Sequence, residues 1–264
     1  MRTRSPGFTL IEILVAMLLL SIAMAAVVPV LATQSRANLE QDTKMAMQEN
    51  LRVGMSVVTD TLRNGRYGVP SSNISTWINW VSGFTTNPTI TTSGSNSIVT
   101  IASATAQSVT TLSSAAAVGT TTLSLASLTP VNTGSKGLLL INGQENAVVT
   151  AVNASSVTID TDPTASGNQG LARAYPAGTP VYRVDVTKFT VATDSTTGFS
   201  SLFRDQNQGV GALAVVDGIS GLQITTVTAN KQYTVTLTAT STTRDPVTNQ
   251  YLSASLASNV TLAN

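Results

Sequence analysis

The stretch SPGFTLIEILVAMLLLSIAMAAVVPVLA, residues 5–32, decides how this chain is read. From Phe8 to Ala32 it runs 25 residues with one ionisable group, Glu12. At about 1.5 Å of rise per residue, a helix of that length reaches roughly 37 Å, enough to cross a hydrocarbon core of about 30 Å. A secretory signal peptide also sets basic residues before an apolar core, but that core is about 7–15 residues long and ends at a small-residue cleavage site. This run is longer and carries a charge near its start. Arg2 and Arg4 precede it, so the positive-inside rule expects the N-terminus in the cytoplasm and the remainder outside.

Glu12 is the informative residue. A carboxylate within a bilayer costs a few kcal/mol on insertion scales unless it is protonated or paired. Arg2 and Arg4 belong at the interface and cannot supply the positive partner from within the same helix, so a second chain is expected to supply it. Cleavage after Gly7 would create an α-amino group on Phe8, four residues before Glu12, and two staggered copies could then pair ammonium with carboxylate. The octapeptide Ser5-Pro6-Gly7-Phe8-Thr9-Leu10-Ile11-Glu12 resembles the prepilin cleavage and methylation site of type IV pilins and type II secretion pseudopilins. The resemblance implies cleavage between Gly7 and Phe8 by a prepilin peptidase, N-methylation of Phe8, and recognition of a neighbour's N-terminal amine by Glu12 during filament assembly.

Pro29 removes a helical hydrogen bond and clashes with the preceding turn, so a kink or an unwound stretch is expected there. Where pilins frequently carry a Gly eight residues before this Pro, the chain has Ser21. Beyond Thr33, Met47, Leu51, Met55, Val58 and Leu62 recur at steps of four, four, three and four, one stripe of an amphipathic helix. Arg36, Glu40, Lys44, Glu49, Arg52 and Asp60 then face water or neighbouring subunits. No stop signal separates the two segments, so a single helix is expected to run to Gly65 and Gly68.

Composition excludes much else. The 264 residues include no His and no Cys, which removes Ser-His-Asp and Cys chemistry, disulfides and Cys/His zinc sites. Charged residues make up 10% of the chain against a usual level of about 25%, and the net charge is +1. No Lys/Arg cluster with interleaved aromatics suggests nucleic acid. After Pro70 the texture turns to Thr, Ser, Val, Asn and Gly, with short β-prone runs between turn residues. Strands are expected at residues 97–102, 121–126, 137–141, 146–152, 156–160, 180–192, 212–216, 222–229, 232–241 and 251–262. A hairpin is expected around Asn230-Lys231, and residues 77–97 read as a loop wrapping the helix.

Further segments resemble PilW-type minor pilins: Asp60-Thr61-Leu62-Arg63-Asn64-Gly65-Arg66-Tyr67-Gly68-Val69-Pro70, then Ser201-Leu202-Phe203-Arg204, Val216 to Ile224, and the closing Ser258 to Asn264. Ala263 stands where that family often has Arg. Residues 119–182 resemble a small β module inserted in some such proteins. Asp160 and Asp162, with Gly167-Asn168, are weak calcium candidates that lack the acidic ligands of an EF-hand loop. Trp77 and Trp80 read as a clasp between loop and sheet rather than a binding patch. Asp185 and Asp205 are the carboxylates a glycosidase reading would need, and nothing in the sequence brings them together.

The expected fold class is α+β and type IV pilin-like: a long N-terminal helix packed on an antiparallel β-rich head. Residues 1–7 are the leader, 8–66 the helix (8–32 apolar, 33–66 amphipathic), 67–118 a loop and the start of the head, 119–182 the inserted β module, and 183–264 the C-terminal sheet. The expected function is that of a minor pilin priming pilus assembly or forming its tip, in motility, adhesion or DNA uptake, without catalysis, cofactor or metal. The alternatives are a GspJ-like type II secretion pseudopilin and a surface binding module on a pilin stem. The partners implied are other pilins through the helix, the prepilin peptidase and N-methyltransferase, the inner-membrane assembly platform and a tip adhesin. The membrane is a partner before assembly, and no nucleic acid is expected. The protein is placed in the bacterial inner membrane with its head in the periplasm, and then in the filament.

Overall fold

The computed structural model describes residues 9–129, 131, 137–206, 211–245 and 248–262. The 54-residue helix α1 (Leu10–Arg63) opens the described chain and extends about 80 Å at helical rise. Every residue from Leu10 to Leu39 is exposed. In the second half, Met47, Leu51, Met55, Val58 and Leu62 are buried, and these are the residues of the sequence stripe. The charged residues of the opposite side lie at the surface, where Lys44 pairs with Glu40 at 2.6 Å and Arg63 with Asp60 at 3.3 Å.

The helix ends three residues before the expected Arg66. Asn64 caps it, donating its N–H to the carbonyl of Asp60. Arg66 at φ 78° and Gly68 at φ 65° then turn the chain through the left-handed region, which no helix can accommodate. A one-turn helix, α2 (Ile74–Trp77), follows.

Among the described residues the head has thirteen strands: β1 (Thr89–Ser93), β2 (Asn96–Ala104), β3 (Thr110–Thr111), β4 (Thr122–Ser124), β5 (Leu138–Ile141), β6 (Glu145–Val152), β7 (Ser156–Asp160), β8 (Pro180–Thr193), β9 (Ser200–Asp205), β10 (Leu213–Asp217), β11 (Ile219–Thr228), β12 (Gln232–Arg244) and β13 (Tyr251–Thr261). Ten of them form one sheet and β11-β12-β13 a second, with all pairings antiparallel. The hairpin expected around Asn230-Lys231 joins β11 to β12, with Asn230 at φ 57°.

Strands β1, β3 and β9 carry no expectation from sequence. β1 and β3 are short and Thr-rich, and β9 becomes a strand because β8 and β10 bracket it. The stretch from Trp77 to Ser97 does not wrap the helix. Its first part packs Trp77, Trp80, Val81 and Phe84 against Ala102, Leu138, Leu140, Val184 and Val186 of the sheet, and β1 occupies the rest. Burial of these aromatic faces on an apolar sheet stabilises that arrangement more than the polar surface of α1 could.

Strand β8 joins two halves of the large sheet. Val181 to Val184 pair with β5, while Lys188 to Thr193 pair with β9 on the same side. Its odd-numbered side chains serve two separate cores. Phe189 belongs to the core formed with α1, and Val181 to a second core containing Leu139, Ile141, Val149, Val157, Ile159 and Leu171. Arg183 and Asp185, ion-paired at 2.6 Å, share that face of β8 between the two cores. The second core also takes in Val109, Leu112 and Ala116, ahead of Gly119.

Tyr175 closes the second core. It is 4% exposed, and its hydroxyl donates to Glu145 Oε2 at 3.0 Å, while Glu145 Oε1 accepts the N–H of Ala172. Burial, followed by the hydrogen bond and charge of Glu145, pushes the phenol from its ordinary 10.0 up to about 12. Because the folded value is the higher one, the stabilisation is fully present below pH 10.0 and is lost as pH rises towards about 12. Ultraviolet difference titration of the five tyrosines is expected to show a late-ionising group that Tyr175→Phe removes. An unchanged titration curve in that variant would contradict the assignment.

Candidate functional site

The first turn of α1 is built around Glu12. Thr9 is the N-cap residue, with extended backbone, and the N–H and Oγ1 of Thr9 each donate to Glu12 Oε2 at 2.9 Å. The N–H of Glu12 donates back to Thr9 Oγ1 at 3.4 Å. This is a capping box, which satisfies helix-terminal donors reciprocally. All of these donors are neutral, so the carboxylate is hydrogen-bonded while its charge has no cation beside it among the described residues. The role of Thr9 was missed in the sequence, although Thr9-Leu10-Ile11-Glu12 fits the S/T-x-x-E/Q pattern before an apolar run.

Gly7 and Phe8 lie outside the described residues. Beyond Glu12, Leu10, Ile11, Ile13, Leu14, Val15, Met17, Leu18, Leu19 and Leu20 are all at least half exposed. The helix is long and apolar enough to cross a membrane, and none of its apolar stretch is buried in the protein. Exposure of so large a continuous apolar surface is unfavourable in water and marks contact with lipid or other helices.

Of the kink or unwound stretch expected at Pro29, the unwound stretch does not occur, since α1 continues through that residue. Pro29 cannot donate to the carbonyl of Ala25, yet the helix runs on across it, as the φ fixed by the proline ring allows. Nearby hydroxyls fold back onto the backbone: Ser21 Oγ donates to Leu18 O at 2.7 Å and Thr33 Oγ1 to Pro29 O at 2.9 Å. Such bonds keep polar side chains satisfied in an apolar surrounding.

The calcium candidates are engaged locally. Asp160 Oδ1 accepts the N–H groups of Asp162 and Gln169, both at 3.0 Å, and Asp162 Oδ1 accepts the N–H and hydroxyl of Thr164. These bonds hold the carboxyl of Asp162 below its usual range. No group of three potential His, Cys, Asp or Glu ligands occurs among the described residues.

The two carboxylates of the glycosidase reading are on opposite faces of the sheet. Asp205 sits opposite Lys188, three residues along β8 from Asp185, so the pleat separates them. Asp205 and Lys188 line a cleft of about 320 Å³ with Trp80, Phe84 and Thr100, while Asp185 is ion-paired on the other side. That arrangement cannot place an acid and a nucleophile on one glycosidic bond.

Comparison with known proteins gives one family match, the prokaryotic N-terminal methylation motif, over residues 2–28. No curated protein and no solved structure matches the chain. The matched residues take in Gly7 and Phe8, the Thr9–Glu12 cap and most of the exposed apolar half of α1. The chain is therefore type IV pilin-like, with a prepilin-type methylation motif and a long apolar N-terminal helix ahead of an antiparallel β-rich head.

Proposed function

We propose that the chain is a minor pilin, a non-catalytic filament subunit that acts in priming or at the tip of a type IV pilus. The observation that carries the reading is the fully exposed apolar half of α1, headed by Glu12 within the matched methylation motif. Before assembly that half spans the inner membrane with the head in the periplasm. Cleavage between Gly7 and Phe8 and N-methylation of Phe8 then leave a cationic amine one residue from the cap. Assembly moves the helix from lipid into a bundle of like helices, so apolar burial changes little between the two states. The Glu12 charge gains a partner in the amine of a neighbouring subunit, which sets register. Pro29 serves as the point where the helix bends during this transfer. The inserted module, residues 119–182, enlarges the head exposed on the filament.

Partners in this reading are major and minor pilins, the prepilin peptidase and N-methyltransferase, the assembly platform in the inner membrane and a tip adhesin. Support comes from the motif, the helix and the 54-residue continuity of α1 into a folded head. Mass spectrometry of sheared surface filaments tests it. The expected result is a chain beginning at N-methylated Phe8 and much rarer than the dominant subunit. A processed chain absent from surface filaments would shift the assignment to a GspJ-like secretion pseudopilin, and an intact Met1 terminus would overturn the filament reading.

A further inference from the structure

A long exposed strand edge is a template for another chain, and folded proteins ordinarily shorten, bulge, charge or cover such edges. The other edges of this head follow that rule. β1 and β10 have five residues each, β3 two and β4 three, and β10 carries a bulge between Ala214 and Val216. The outer edge of β11 is stitched to the large sheet, its Leu222 N–H donating to Asn96 Oδ1 at 3.3 Å and its Ile224 N–H to Ser97 Oγ at 3.0 Å.

β13 departs from the rule. Its 11 residues, YLSASLASNVT, contain no charge, proline or glycine. From Ser253 to Thr261 it pairs with β12 in unbroken register. Leu262 donates its N–H to Lys231 O at 2.9 Å, which fixes the phase of the ladder. The even-numbered residues of β13 thus direct their backbone groups at β12. Ser253, Ser255, Ala257, Asn259 and Thr261 direct theirs outward, and among the described residues no strand lies on that side.

The geometry points to β13 as a strand-addition site for an extended, uncharged segment of a different subunit. The even-numbered side chains of β13 face the core with α1, and Leu252, Ala254 and Leu256 are only partly buried there, at its rim. An added strand must continue that core with bulky apolar side chains at alternate positions. β12 does so with Tyr233, Val235 and Leu237 between threonines. At such positions β13 itself alternates large and small, Leu252, Ala254, Leu256, Ser258 and Val260, so a second copy would leave the core short at Ala254 and Ser258, which disfavours it as the occupant. Backbone hydrogen bonds would supply affinity and the alternate side chains specificity. The proposal rests on the filament reading for the kind of partner, and on the edge geometry for the site.

The test places a photo-crosslinking residue at Ala257 of the full chain in the cells that produce it. The expected product is a covalent adduct with another pilin-like subunit, mapped to a β-forming segment. Ser255→Pro removes an outward N–H without touching the β12 ladder and is expected to lower the adduct about tenfold or more. Ala257 is occupied by the probe, so Ser253→Lys serves as a second variant that charges the edge while keeping every backbone donor. Hydrogen exchange of each purified full chain in detergent micelles checks that the core amides stay protected. The inference is overturned by absence of an adduct in cells whose membranes hold the folded chain, by an adduct to a second copy, or by adduct levels unaffected in both folded variants. An adduct to another protein formed by a chain that still begins at Met1 would retain the edge and refute the filament reading.

Discussion

Glu12→Leu is expected to leave membrane insertion intact and to cut incorporation into filaments roughly 30- to 150-fold, the equivalent of about 2–3 kcal/mol for a charge pair formed in an apolar surrounding. Insertion survives because leucine lengthens an already apolar helix. Incorporation falls because the neighbour's ammonium is left without its carboxylate. The capping box provides the control, since Glu12 also accepts from the N–H and hydroxyl of Thr9. Glu12→Gln keeps an acceptor for the cap and removes the charge, and it is expected to fail in assembly nearly as badly as leucine. Thr9→Ala loses the cap, at about 1 kcal/mol of helix-end stability, and keeps the charge. Quantifying each variant in sheared filaments and in membranes separates the two roles. Normal incorporation of Glu12→Gln would show that Glu12 acts as a cap residue and not as a charge.

The second large effect lies in the head. Gly170 passes so close to residue 119 that a Cβ at 170 would overlap the carbonyl of Gly119. Two backbone hydrogen bonds hold the segments together there, from the N–H of Gly119 to Leu171 O at 2.7 Å and from the N–H of Leu171 to Thr120 O at 3.0 Å. Leu171, 1% exposed, inserts beside them into the second core. Gly170→Ala must separate the two backbones, breaking those bonds and lifting Leu171, at a cost of roughly 3–5 kcal/mol. Thermal unfolding of the full chain in detergent is expected to show a lowered transition, with exchange accelerated first at amides of β4, β6 and β7. Because α1 packs on the other core, the amides of β12 are expected to keep their protection. A variant with native exchange throughout would refute the contact.

Much of this molecule was legible in its sequence because the signals are local. The length of the apolar run, its single carboxylate, the stripe of Met47, Leu51, Met55, Val58 and Leu62, and the turn at Asn230 each depend on residues within a few positions of one another. A helix satisfies its own backbone and displays its periodicity directly, so its extent and its buried face follow from the order of residues. Thr9 was equally legible, since a capping box spans four residues.

What the order of residues left open concerns partners distant in the chain. Strand β9 exists because β8 and β10 flank it, and the clasp of Trp77 and Trp80 on the sheet, expected from the sequence, takes its particular partners from β2, β5 and β8. Asp185 and Asp205 fall on opposite faces through the register of one long strand. The division of that strand between two cores, and the open edge of β13, likewise depend on which strands meet. The sequence by itself determined an apolar, methylation-motif helix and a β-rich head to follow it. Tertiary structure alone decided the neighbours of each strand, because strand pairing satisfies backbone groups with residues from anywhere in the chain, and a two-residue side-chain period is compatible with many such pairings.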